Sequence, residues 1–288
     1  MTAGVKSNAL DLDHLGIAVA DLDLAARNFA ALGFTLTDKS FHVASPAPGA
    51  EPVRTGTGNH CIMLAQGYVE LIAITDPAYR GRLAADLARY EGLHLVSFGT
   101  ASAEDTAALF QRTIGAAEAP RRLTRPILEQ GKPVTALFDI VDLPEGIAAA
   151  GHVFAIRHLT RELLWQPHLT SHENGAVALL GVIACAADPL AFLAPIAAAI
   201  GGRVEENAIA LEPGRFEAVD PQGLARRFPG AVPPSLPCYA GLTIGVRDLR
   251  ALARLFGERG VGFRAVQNRL WVVPGLANGT IIEFREVP

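Results

Sequence analysis

The sequence predicts an α+β chain in which one βαβββ unit is repeated four times. Three observations carry this. Each unit opens on a short, largely apolar strand; a helix with a glycine stop follows; and the distance from capping acid to glycine is 12 residues in both the first and the last unit, Asp21 to Gly33 and Asp248 to Gly260.

In the first unit Leu15, Ile17 and Val19 alternate with His14, Gly16 and Ala18, which gives a strand with two unlike faces. Asp21 or Asp23 can accept hydrogen bonds from free amides at a helix start, and Leu22, Ala25, Phe29 and Leu32 then share one helical face. Gly33 supplies the left-handed stop. Three strands are expected after it: Phe34 to Val43, then, past a Pro/Gly-rich loop from Ser45 to Gly58, Asn59 to Ala65 and Tyr68 to Ile74.

The second unit reads as a strand Leu93 to Phe98, a helix Ala103 to Ile114, a stop at Gly115, and strands Ala136 to Val141 and Val153 to Ile156. In the third, Ala178 to Cys185 precedes a helix opened by Asp188-Pro189, a cap followed by proline at the first helical position, and closed by Gly201-Gly202. In the fourth, Ala240 to Val246 leads to Asp248, a stripe of Leu249, Leu252 and Leu255, and Gly260.

Of the 288 residues half are apolar and 19% are charged, enough for buried cores and too little charge for general disorder. The net charge of -4 and the absence of a basic cluster argue against nucleic acid as a partner. Cys61, Cys185 and Cys238 are odd in number and far apart in sequence, so reduced thiols are expected. Met1 to Asp11 has one Lys and no apolar core, and Asp188-Pro189 interrupts the apolar run from Ala176 to Gly202, so the expected address is the cytoplasm, with no membrane span. No Walker loop, dinucleotide fingerprint or Gly-x-Ser-x-Gly elbow is present, which removes the usual supports for nucleotide and serine-hydrolase chemistry.

Leu12 to Val19, with Gly56-Thr57-Gly58-Asn59 and Gly67-Tyr68-Val69-Glu70-Leu71, resembles the glyoxalase-like proteins of the vicinal oxygen chelate superfamily. His158 to Trp165 and His172 to Ala176 are similar to the connecting segment of the same group. The resemblance implies two cupped, half-open mixed-sheet barrels, each made of two units: residues 10–160, a connecting segment 161–175, and residues 176–288. It also implies a divalent metal ion (Fe, Mn, Zn or Ni) in the first cup, held by His on a first strand and Glu on a last strand.

Position by position, the metal ligands become His14, Glu70 and, with Gly92 to Val96 laid on Leu12 to Gly16, His94. A carboxylate between Val69 and Leu71 is costly to bury unless something positive meets it. The second unit has no acid in its last strand, and in the remaining units Leu180 and Gly241 align with His14 while only Glu217 or Glu283 answers Glu70, so no metal is expected in the second cup.

His60, His158, Trp165 and His172 are candidates for substrate contact, Trp165 equally for wedging the halves together. The expected function is metal-dependent chemistry on a small organic substrate with vicinal oxygens, as isomerase, lyase or ring-opening dioxygenase. The alternative is a non-catalytic small-molecule-binding protein. Self-association as a homodimer stays open.

Overall fold

The computed structural model describes residues 10–44, 50–129, 131–144 and 146–288; most of the Met1 to Asp11 segment, and part of the Pro/Gly-rich loop, lie outside them. Strands β1 (Asp11–Ala18), β2 (Ser40–Ala44), β3 (Val53–Met63) and β4 (Tyr68–Ile74) and helix α1 (Leu22–Ala31) make the first unit. Helix α2 (Arg82–Arg89) leads to the second: β5 (Gly92–Gly99), α3 (Ala103–Ile114), β6 (Arg121–Glu129), β7 (Lys132–Asp142) and β8 (His152–His158). The order along this sheet is β2-β3-β4-β1-β5-β8-β7-β6.

After the short α4 (Arg161–Leu164) the third unit comprises β9 (Ala176–Cys185), α5 (Pro189–Ile200), β10 (Val204–Glu205), β11 (Ala208–Ala210) and β12 (Arg215–Val219). Helix α6 (Pro221–Arg227) precedes the fourth: β13 (Cys238–Val246), α7 (Leu249–Glu258), β14 (Arg264–Val266), β15 (Arg269–Val272) and β16 (Ile281–Glu286). The second sheet runs β10-β11-β12-β9-β13-β16-β15-β14, the same order as the first. The α+β fold of two similar eight-stranded halves follows directly. Among the described residues no helix is long and apolar enough to cross a membrane.

The helix ends obey their local signals. Asp21, Asp188 and Asp248 each cap a helix by accepting from backbone amides in its first turn, while Gly33, Gly115, Gly201 and Gly260 take positive φ at or just past the helix ends. The strands are less local. Phe34 to Lys39 is not a ladder strand, pairing begins at Ser40, and β3 starts at Val53, inside the expected loop, because its partner β2 pairs that far while β4 pairs only from Thr57 on. Strand β6 was not anticipated at all.

Leu15, Ile17 and Val19 are fully buried on the face that packs against helices, and their core is continuous through both halves, with Phe34 against Phe284 and Phe98 against Phe216. His14, Gly16 and Ala18 point to the concave side. Gly16 has to stay small there, since a Cβ would come within 2.9 Å of Leu95 Cβ. The concave side of the first sheet is lined by Met63, Tyr68, Phe138 and Phe154. Edge strands β2 and β6 approach one another, with the Ser40 hydroxyl 3.3 Å from the Pro126 carbonyl, so the first cup is nearly closed. The second cup is plugged by Leu224 of α6 and by Phe228, packed on Trp271.

Register makes the repeat quantitative. The antiparallel β1–β5 ladder carries one extra residue in each strand, Asp13 and His94, and the β9–β13 ladder carries the corresponding ones at Leu180 and Ala240, with a further one at Val177. The first four are equivalent positions. The residue after each is therefore the true counterpart of His14: Leu95, Gly181 and Gly241.

Candidate functional site

His94 was expected to take the place of His14, and Leu180 likewise; the bulges correct both by one residue. A ladder read without the bulge slips by one position, and a slip of one turns a side chain to a different direction. His94 is stacked on Tyr90 with centroids 4.0 Å apart, its Nε2 lies 2.9 Å from the Tyr90 carbonyl, and its Nδ1, 3.6 Å from Asp86 of α2, has no hydrogen-bond partner among the described residues. Burial lowers its pKa, with the Tyr90 carbonyl and Asp86 pulling the other way.

His14 is almost fully buried on the concave face. Its ring stacks on Tyr68 at 4.3 Å, and its Nδ1 is 2.6 Å from Asp13 Oδ1. Asp13 also accepts from His158 Nε2 at 3.0 Å, so one carboxylate ties two imidazoles together. Burial opposes ionisation of Asp13, but His14 and His158 outweigh it and hold the carboxyl well below its ordinary range.

Glu70 faces Gly16 across the β1–β4 ladder, two residues beyond the pair His14 and Tyr68. Three donors converge on its Oε1: Arg125 Nη2 at 2.9 Å, His42 Nε2 at 3.3 Å, and Asn59 Nδ2. His42 Nδ1 in turn lies 2.8 Å from the Thr57 hydroxyl. Burial works against the carboxylate; Arg125 first, then His42, overcome this and keep Glu70 ionised far below the usual range. Arg125 comes from the middle of β6 and is largely buried, its side chain 13% exposed, with Nη1 3.6 Å from Cys61 Sγ. Burial pushes that thiol up to about 12, so Cys61 is an inert neutral group.

The same register position recurs. Gly16 faces Glu70, Ser97 faces Phe154, Ile183 faces Glu217 and Thr243 faces Glu283. All three glutamates are met by guanidinium groups: Glu217 by Arg227 at 2.7 Å, and Glu283 by Arg227, Arg269 and Arg285 at 2.7 to 3.0 Å. Each carboxylate thus has the positive neighbour its burial demands, supplied by the chain.

The residues expected to bind a metal do not fit one in this arrangement. Glu70 is committed to Arg125, His14 to Asp13, and His94 to Tyr90, and among the described residues no three His, Cys, Asp or Glu side chains are grouped to hold an ion.

Of the other candidates, His60 is turned away from the cup. It pairs with Leu71, on the helix-covered face, and its Nδ1 meets the Thr37 carbonyl at 2.7 Å. His172 is a staple: Nδ1 accepts from Thr35 N at 3.0 Å and Nε2 donates to the Met63 carbonyl at 2.8 Å, which fixes a neutral ring whose pKa burial lowers. Trp165 donates to the Leu64 carbonyl at 2.9 Å, with Arg161 3.5 Å over its ring. His158 and Trp165 do reach the concave face, edge-on to Tyr68. Sequence reasoning missed His42, Asn59 and Arg125. The signal that pointed to them was Glu70 itself, whose burial required a cation.

Two chambers flank the Glu70 cluster. A cavity of about 310 Å³ opens between β2, β3, β6 and α4, walled by side chains such as Phe41, Met63, Ile127 and Leu164, with Asn59, Cys61 and Arg125 in its lining. A smaller one of about 140 Å³, under α2, is lined by His42, His94, His152 and Asp86.

A family model described as "Glyoxalase-like domain" matches residues 12–200. No curated protein sequence matches this chain. Among solved structures, a hypothetical protein from Staphylococcus aureus is 12% identical with a TM-score of 0.66, over 96% of this chain and 100% of that one. A triple mutant of 4-hydroxymandelate synthase from Streptomyces coelicolor is 16% identical with a TM-score of 0.57, over 97% and 93%. A xylose isomerase-like TIM barrel/4-hydroxyphenylpyruvate dioxygenase fusion protein is 10% identical with a TM-score of 0.55, over 97% of this chain and 49% of that one. These likenesses are of fold. The family match, over well more than half the sequence, and the repeated βαβββ architecture together establish that the chain belongs to the glyoxalase-like domain family of the vicinal oxygen chelate superfamily.

Proposed function

We propose that the chain receives a small organic molecule in its first cup and holds it without a metal ion. The observation that carries this is the buried Arg125–Glu70 pair. The carboxylate that would ligate an ion already has a cation 2.9 Å away, and a largely apolar cavity of small-molecule size opens onto that cation. His14, Tyr68, His158 and Trp165 pack against one another on the same concave face. Thermal-shift screening of the purified protein against a small-molecule library, with and without chelator, tests the reading. Stabilisation indifferent to chelator supports it, and stabilisation abolished by chelator sinks it.

A second reading is metal-dependent chemistry on vicinal oxygens, of isomerase, lyase or dioxygenase type, with His14 and Glu70 among the ligands. It draws on the shared concave face of His14 and Glu70 on adjacent strands, and on the dioxygenase named in one structural neighbour. It requires Glu70 to leave Arg125. Metal analysis of the wild type and of His14→Ala separates the two: an ion present in the first and lost from the second favours metal, and equal, negligible content rejects it.

A further inference from the structure

We infer that the ligand of the first cup is a small organic anion with an apolar body, its acid group seated on the guanidinium of Arg125. This rests on the reading that the cup holds a small molecule, and adds the chemical class.

Arg125 has five N–H donors in a planar fork. Within the chain one goes to Glu70 Oε1 at 2.9 Å and one to the sulfur of Cys61 at 3.6 Å, a weak acceptor. No other acceptor meets this guanidinium among the described residues. A buried cation with donors left over, in the lining of a cavity, is a place for acceptor oxygens. The neighbouring donor and thiol do not compete for that role: Asn59 spends its amide N–H on Glu70, and Cys61 is neutral.

The rest of the lining fixes the sign and the shape. Its charged members are Lys39, Arg54 and Arg125 against Asp38 alone. Lys39 is paired with Asp23, whereas Arg54 lies 3.8 Å over the Phe41 ring with no carboxylate partner among the described residues. The guanidinium of Arg54 draws an anion in and low-dielectric walls focus its field, while Arg125, its own charge matched by Glu70, offers its remaining N–H donors. Those walls, from Phe41, Met63, Ile127, Leu164 and Leu169, take an aliphatic or aromatic body and offer little to a sugar or a polyol. About 310 Å³ limits that body to a short chain or a single ring system.

Isothermal titration of the full chain with phenylacetate and hexanoate, each against its amide, tests this. The acids should bind at least about tenfold more tightly than the amides, which fill the same volume without the charge. Arg125→Gln alone strands Glu70, so the informative variant is Arg125→Gln with Glu70→Gln, which keeps a neutral hydrogen-bonded pair. In it the acid-to-amide preference should fall to near one. Amides binding as tightly as acids overturn the anionic class and leave the cup reading standing. A preference that survives in the double variant places the anion elsewhere and overturns the assignment to Arg125. Failure of acids, amides and every library compound to bind overturns both this inference and the cup reading.

Discussion

Removing the Arg125 guanidinium tests the argument at its most exposed point. Arg125 and Glu70 have side chains 13% and 5% exposed, so solvent screens their pair little. Losing one partner of such a pair costs about 3 to 5 kcal/mol, because the other charge is left buried. His42 and Asn59 still donate to Glu70 in Arg125→Gln, which puts the expected loss at the low end, about 3 kcal/mol. That corresponds to a fall of roughly 6 to 12 °C in thermal midpoint. Adding Glu70→Gln removes the stranded charge and should recover all but about 1 kcal/mol. The deficit also has a pH signature. Without Arg125, burial raises the Glu70 pKa, so the single variant regains stability relative to wild type as pH falls through 5 and the carboxyl protonates. Urea unfolding followed by circular dichroism at pH 8 and pH 5 measures all of this. A loss below about 1 kcal/mol at pH 8, or a double variant as unstable as the single one, refutes the idea that Arg125 is the cation Glu70 needs.

His172→Leu removes a ring whose two nitrogens both hydrogen-bond to backbone of the first half, and should cost about 2 kcal/mol in urea unfolding; an unchanged midpoint counts against the staple. Acid should destabilise the wild type in two stages. His94 and His172 are held neutral by burial, below the ordinary 6.5, so their contribution is complete above that pH and declines beneath it. For Asp13, Glu70 and Asp142 burial opposes ionisation, yet their partners prevail; the stability is present above their unfolded values of 3.8 to 4.5 and is lost as pH falls toward the folded ones, about 2 for Asp142. A thermal midpoint that rises between pH 7 and pH 4 contradicts this assignment.

The repeat was legible because its punctuation is local. An Asp that caps and a Gly at positive φ act within one turn of helix, so Asp21 with Gly33, and Asp248 with Gly260, mark their helices whatever surrounds them. The concave placement of His14 was equally readable, since alternation along one strand fixes its two faces. Strand β6 was not, because the residues from Arg121 to Glu129 are half exposed and gain their pairing from β7.

Sequence by itself determined the order of elements, the helix ends, the face on which His14 and Glu70 lie, and the need for a positive partner at Glu70. Which partner answers that need was decided only by the tertiary structure. Arg125 stands 55 residues away and meets Glu70 because the sheet curls until β6 closes on β2. The displacement of His94 has the same origin, for a bulge belongs to two strands at once and neither strand's residues announce it alone. Local chemistry writes caps, stops and faces into consecutive residues, whereas charge pairing and register depend on chain segments that only the closed cup brings together.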